Sequence, residues 1–112
     1  MSLLALRDAL AATGIPTYHF TADSKQQRYI VWYERGEGQS EWADDSLGET
    51  VIYGYVSYVT SLEYDPNVDI IRRAMDENDI SYKLVDIGYD EEAQRIEYQW
   101  RFEMTVGDSL YG

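Results

Sequence analysis

The chain has 112 residues, enough for one domain with a single core. It carries 21 acidic against 9 basic residues, a formal charge of −12, and no cysteine. A charge of that sign opposes phosphate binding and leaves no basic track for DNA or an anionic membrane. Without cysteine there are no disulfides, thiolate nucleophiles or zinc–cysteine sites.

Residues 1–12 are apolar-rich but interrupted by Arg7 and Asp8, and they read as a helix rather than a leader. No uncharged run is long enough to span a bilayer. The chain is therefore expected in the cytoplasm or in an assembly built from a cytoplasmic pool. Ser2 is placed to cap a first helix running to about Thr13, with Leu3, Leu6 and Leu10 on one stripe. Gly14 and Pro16 stop it. Residues 17–28 read as polar and irregular, apart from Tyr18 and Phe20.

Residues 29–34 combine β-branched and aromatic side chains without turn formers, which predicts a strand ended by Gly36 and Gly38. An acidic loop follows over 36–49, longer than most hairpin connections. Within it Trp42 and Leu47 stand among Asp44, Asp45 and other acids, and form a candidate anchor for a partner. A second strand spans about 50–62. Tyr53, Tyr55, Ser57 and Val59 share one face and Ile52, Val56, Tyr58 and Leu62 the other. Both faces are semi-apolar, so the strand is expected centrally or against a neighbouring subunit, and Tyr53 and Tyr55 join the candidate interaction residues. Gly54 marks a bulge or a close backbone approach.

Asp65 and Pro66 open a second helix with Val68, Ile71 and Met75 as its buried stripe, ended at Asn78 or Asp79. A third strand is predicted over 82–88, a turn over 90–93 and a closing strand over 94–106. Ile96, Tyr98, Trp100, Phe102, Met104 and Val106 alternate there with polar residues, the period of a strand wet on one face only. The tail, 107–112, is expected to be loose. The predicted class is α+β: two helices packed on one face of a mainly antiparallel four-stranded sheet, in helix-hairpin-helix-hairpin order.

Chemistry is thinly marked. His19 is the single histidine, and no Gly-x-Ser-x-Gly elbow accompanies it. Glu37, Glu41, Asp44, Asp45 and Glu49 cluster without the ordered spacing of a calcium loop, so no metal or other cofactor is expected. Eleven tyrosines and three tryptophans exceed what one small core needs and point to contact surface.

The succession Thr13-Gly14-Ile15-Pro16, Tyr29-Ile30-Val31-Trp32-Tyr33, Tyr53-Gly54-Tyr55-Val56-Ser57-Tyr58-Val59, Asp65-Pro66, Asn78-Asp79-Ile80-Ser81-Tyr82 and Tyr98-Gln99-Trp100-Arg101-Phe102-Glu103 spans roughly residues 3–106. It resembles the small tail-completion proteins of tailed bacteriophages and prophages of Gram-positive bacteria, a group similar to tail terminators and head–tail joining proteins. Those proteins often have a proline before the first strand, where this chain has Gln27-Arg28. The resemblance implies a non-enzymatic virion assembly protein, made in the host cytoplasm and carried in the virion tail. It would form a ring, expected to be a hexamer, that terminates the tail tube or joins tail to head. Its partners would be further copies of itself and a tail-tube or head-connector protein. It would bind no nucleic acid specifically, although DNA would pass its lumen, and no membrane. The alternatives are an acidic DNA mimic that binds a basic protein and a small acidic enzyme. Deleting residues 39–46 is expected to spare the thermal midpoint and weaken assembly; unchanged assembly would reduce the loop to a solvated connector.

Overall fold

The computed structural model describes residues 1–23, 25–38 and 50–112. In chain order the elements are α1 (Leu3–Ala11), β1 (Thr17–His19), β2 (Tyr29–Glu37), β3 (Thr50–Thr60), α2 (Asn67–Glu77), β4 (Ser81–Asp90) and β5 (Arg95–Val106). The strands form one sheet in the order β1-β2-β3-β5-β4. The β2–β3, β3–β5 and β4–β5 pairs are antiparallel, while β1 runs parallel to β2.

The expected four-stranded sheet is thus corrected to a five-stranded mixed sheet within the α+β class. The strand missed in sequence, β1, has three residues, too few for any alternation to show. Its pairing is set by its ends: Ile30 N–H donates to Pro16 O at 2.8 Å and Phe20 N–H to Trp32 O at 2.9 Å. The helix-hairpin-helix-hairpin order is broken by this insertion between α1 and β2. The two hairpins, β2–β3 and β4–β5, abut through β3 and β5.

Both helices cover one face of the sheet. Ser2 caps α1 through its hydroxyl, which accepts from Leu4 N–H at 3.2 Å. The helix ends at Ala11, two residues earlier than expected, and the turn after it closes at Gly14, whose φ of +82° suits a residue without a Cβ. Leu3, Leu6 and Leu10 of α1 are fully buried with Ile71 and Met75 of α2, against Trp32, Val56, Tyr58, Trp100, Phe102, Met104 and Val106 of the sheet. The alternation of β5 is realised: Trp100, Phe102, Met104 and Val106 are buried, and Glu97 and Thr105 are exposed. Leu62, read as sharing a strand face with Ile52, Val56 and Tyr58, lies past the end of β3 and is exposed.

Gly54 marks both a bulge and a close approach. It pairs with Glu34, where the β2–β3 register shifts before Gly36. A Cβ on Gly54 would lie 2.1 Å from Tyr33 O and 2.8 Å from Phe102 Cε2. Backbone cannot yield to that degree, so Gly54→Ala is expected to destabilise by about 1–3 kcal/mol or more. Trp100→Ala, which empties the centre of the core, is expected to cost about 3–5 kcal/mol. Chemical denaturation checks both; an unchanged midpoint for Trp100→Ala would remove β5 from the core.

Candidate interaction surface

A strand alternates its side chains, so the face of the sheet away from the helices carries the other half of each strand. On β2 these are Tyr29, Val31 and Tyr33, and on β3 they are Val51, Tyr53, Tyr55, Ser57 and Val59. On β5 they include Gln99, Arg101 and Glu103. Tyr33 stands opposite Tyr55, and their ring centroids are 5.7 Å apart. Tyr53 meets Tyr55 edge-on at 6.4 Å, and Phe20 lies 6.4 Å from Tyr33. The Arg101 guanidinium sits over the Tyr53 ring, 4.4 Å from its centroid, and also donates to Glu103 at 2.5 Å. A second edge-on pair, Tyr18 and Tyr29, continues the surface toward β1. The tyrosines are half-buried and Phe20 is exposed. Such amphipathic rings suit a contact that is apolar across the body and wet at the rim.

Of the residues singled out in sequence, Tyr53 and Tyr55 come together on this face. Trp42, Asp44, Asp45 and Leu47 lie outside the described residues, as do Glu41 and Glu49. Phe20, Tyr33 and Arg101 belong to the same surface and were missed. The signal for Tyr33 was the period-2 spacing from Tyr29, and for Arg101 its place between Tyr98 and Glu103; neither residue can be assigned a face without the register.

Two polar clusters fix the ends of this sheet. Asp65 was read only as a helix cap, yet its side chain is fully buried and accepts from four groups. Tyr58 OH donates at 2.5 Å, Thr60 Oγ1 at 2.7 Å, Asn67 N–H at 2.9 Å and Arg28 through Nε at 3.1 Å and Nη2 at 2.8 Å. The helix itself starts one residue later than expected, with Pro66 at the cap position. Burial pushes the Asp65 carboxyl up, but the hydrogen bonds from Tyr58, Arg28, Asn67 and Thr60 outweigh it and hold it at about 2. In the second cluster, His19 Nε2 lies 2.6 Å from Glu34 Oε1, and Tyr111 OH donates to the other oxygen of Glu34. Burial pushes the Glu34 carboxyl up; the bonds from Tyr111, its own backbone and His19 bring it below its ordinary value. The His19 ring also stacks on Trp32, 4.1 Å between centroids. Its surroundings are those of a side chain stacked on an indole and hydrogen-bonded to a carboxylate.

The tail, expected to be loose, makes further bonds in the structure. Leu3 N–H donates to Leu110 O at 2.8 Å and Gly107 N–H to Met1 O at 3.0 Å. An open groove of about 540 Å³ runs between the helices, floored by Ala5, Ala9, Ala12 and Ala74 and edged by Asp8, Arg73 and Glu77. Among the described residues no three His, Asp or Glu side chains are grouped to hold a metal ion, and no helix is long and apolar enough to cross a membrane.

No family model matches the chain, and no curated protein matches it. A crystal structure from Akkermansia muciniphila is similar over 96% of this chain, with 11% identity and a TM-score of 0.44. The chain spans about half of that protein, 48% of its length.

Asp65 supplies a pH test. Its value in the folded chain lies below that of the unfolded chain, so its contribution of about 2 kcal/mol is complete above about pH 4 and is lost as the pH falls toward 2. Denaturation midpoints measured from pH 6 to pH 2 should fall across that window. Asp65→Asn should be less stable at pH 7 and should lack that part of the acid loss. A variant with the same pH profile as the parent would show that the cluster does not tie the fold.

Proposed function

We propose that the chain is a structural assembly protein of a tailed bacteriophage or prophage, working as a ring of copies that ends the tail tube or joins tail to head. The single observation carrying this reading is the aromatic sheet face. Phe20, Tyr33, Tyr55 and Tyr53 form one run of ring contacts, closed by Arg101, on a face that α1 and α2 do not cover. These rings lie outside the core beneath the helices. In a contact between subunits the rings bury further area at little entropic cost, since each has only two rotatable bonds.

Two features of the sequence support the reading. The succession of segments resembles phage tail-completion proteins over most of the chain. The charge of −12 suits a lumen through which DNA slides without adhering. The contact would place aromatic faces between neighbours and leave much of the acidic surface to the lumen and to solvent.

The test is negative-stain imaging of the purified chain beside a Tyr53→Ser, Tyr55→Ser variant. Closed particles with a central lumen are expected for the parent and none for the variant, with circular dichroism unchanged. Particles of the same form in both would remove the aromatic face from the assembly. Tight salt-sensitive binding to a basic protein, without self-association, would favour the DNA-mimic alternative.

A further inference from the structure

Beyond the aromatic face, the sheet has a second uncovered feature, its β4 edge. Among the described residues no backbone group of β4 bonds to anything but β5, so the outer side of a ten-residue strand is free. Leu84, Val85, Ile87 and Tyr89 are 45%, 44%, 57% and 61% exposed along it. Free edges of this length and apolarity are usually blunted or paired. Here the charges do not blunt it uniformly. Lys83 and Asp86 are exposed and neither has an ion-pair partner among the described residues. Lys83 instead stands opposite another cation, Arg101, and Asp86 opposite Gln99.

We propose that this edge pairs with the β4 edge of a second copy, antiparallel and about a two-fold axis between Leu84 and Val85. The β-bulge decides the register. The β4–β5 pairing shifts between Leu84 and Asp86, which moves the alternation by one residue. As a result Lys83 and Asp86 share the face of Arg101 and Gln99, while Tyr82 and Ile87 share the helix-side face of Phe102 and Tyr98. In the two-fold register Lys83 of each copy lies opposite Asp86 of the other, Tyr82 opposite Ile87, and Ser81 opposite Gly88. Like faces meet throughout, and two cross-strand ion pairs form where each chain alone leaves its charges unpaired. A register centred on Gly88 would instead set Asp86 opposite Asp90 twice. An isologous contact of this kind joins copies in twos, so any closed assembly carrying it has an even number of subunits. It stands apart from the ring reading, which uses the aromatic face.

The experiment is sedimentation equilibrium of the Tyr53→Ser, Tyr55→Ser background, which removes the aromatic contact. Four chains are compared: that background, and the same with Lys83→Glu, Asp86→Lys or both. The background should form dimers. Each single reversal should weaken the dimer by about tenfold, because attraction becomes repulsion at two symmetric places. The double reversal should return to within about threefold of the background. The Asp86→Lys arm separates this from net charge, since it lowers the overall repulsion of an acidic chain and would strengthen a non-specific association. Both side chains are exposed, so thermal midpoints taken at concentrations where all four are monomeric should stay equal. A strictly monomeric background, four equal dimers, a tighter dimer for Asp86→Lys, or additive weakening in the double reversal would each overturn the pairing. Failure of the ring with this rescue intact would leave the edge contact standing, and the converse would leave the ring.

Discussion

The fold depends on a sheet that, among the described residues, carries helices on only one face. At its centre β3 and β5 pair without interruption from Thr50–Val106 to Thr60–Ile96. Val56 is opposite Trp32 on one side and Trp100 on the other, so two indoles flank a branched residue across three adjacent strands. All three are buried under α1 and α2. Everything on the odd positions of β3 must then face the other way, and the sequence has filled those positions with tyrosines, Ser57 and valines rather than with charges. The pleat, not any local preference, puts the aromatic run on the surface.

Much of this was legible in the sequence where a period could repeat. The twelve residues of β5 and the leucines of α1 each show several turns of one pattern, and their buried faces follow from it. Gly54 could be recognised as a point of close approach because glycine in a long apolar strand has few other reasons to be there. What escaped was short or relational. The three residues of β1 hold no period, and their pairing rests on backbone bonds to β2 that involve no side-chain signature. Arg28 and Asp65 are 37 positions apart, so their ion pair exists only once β3 has turned into α2. Tyr111 and Glu34 are 77 positions apart and meet for the same kind of reason. The candidate site divided along the same line: Tyr53 and Tyr55 share a face by simple alternation, while Tyr33 and Arg101 join them only through strand register.

The two polar clusters bear on how the surfaces are held. Asp65 gathers β2's entry, the end of β3 and the start of α2 through one buried carboxylate with every lone pair occupied. Buried charge is tolerated because its hydrogen bonds replace water. At the opposite end Glu34 links β1, β2 and the C-terminal tail. Ends tied in this way hold the strands in place, which lowers the ordering cost when the face meets a partner.

The central claim is the proposal that this sheet face, free of helices among the described residues, makes contact between copies. Static and dynamic light scattering of the purified chain, over a wide concentration range and at two salt levels, tests it most directly. The account predicts a discrete oligomer of constant mass above a threshold concentration, persisting at the higher salt because aromatic burial rather than exposed charge holds it. A monomer at every concentration and both salt levels would contradict it.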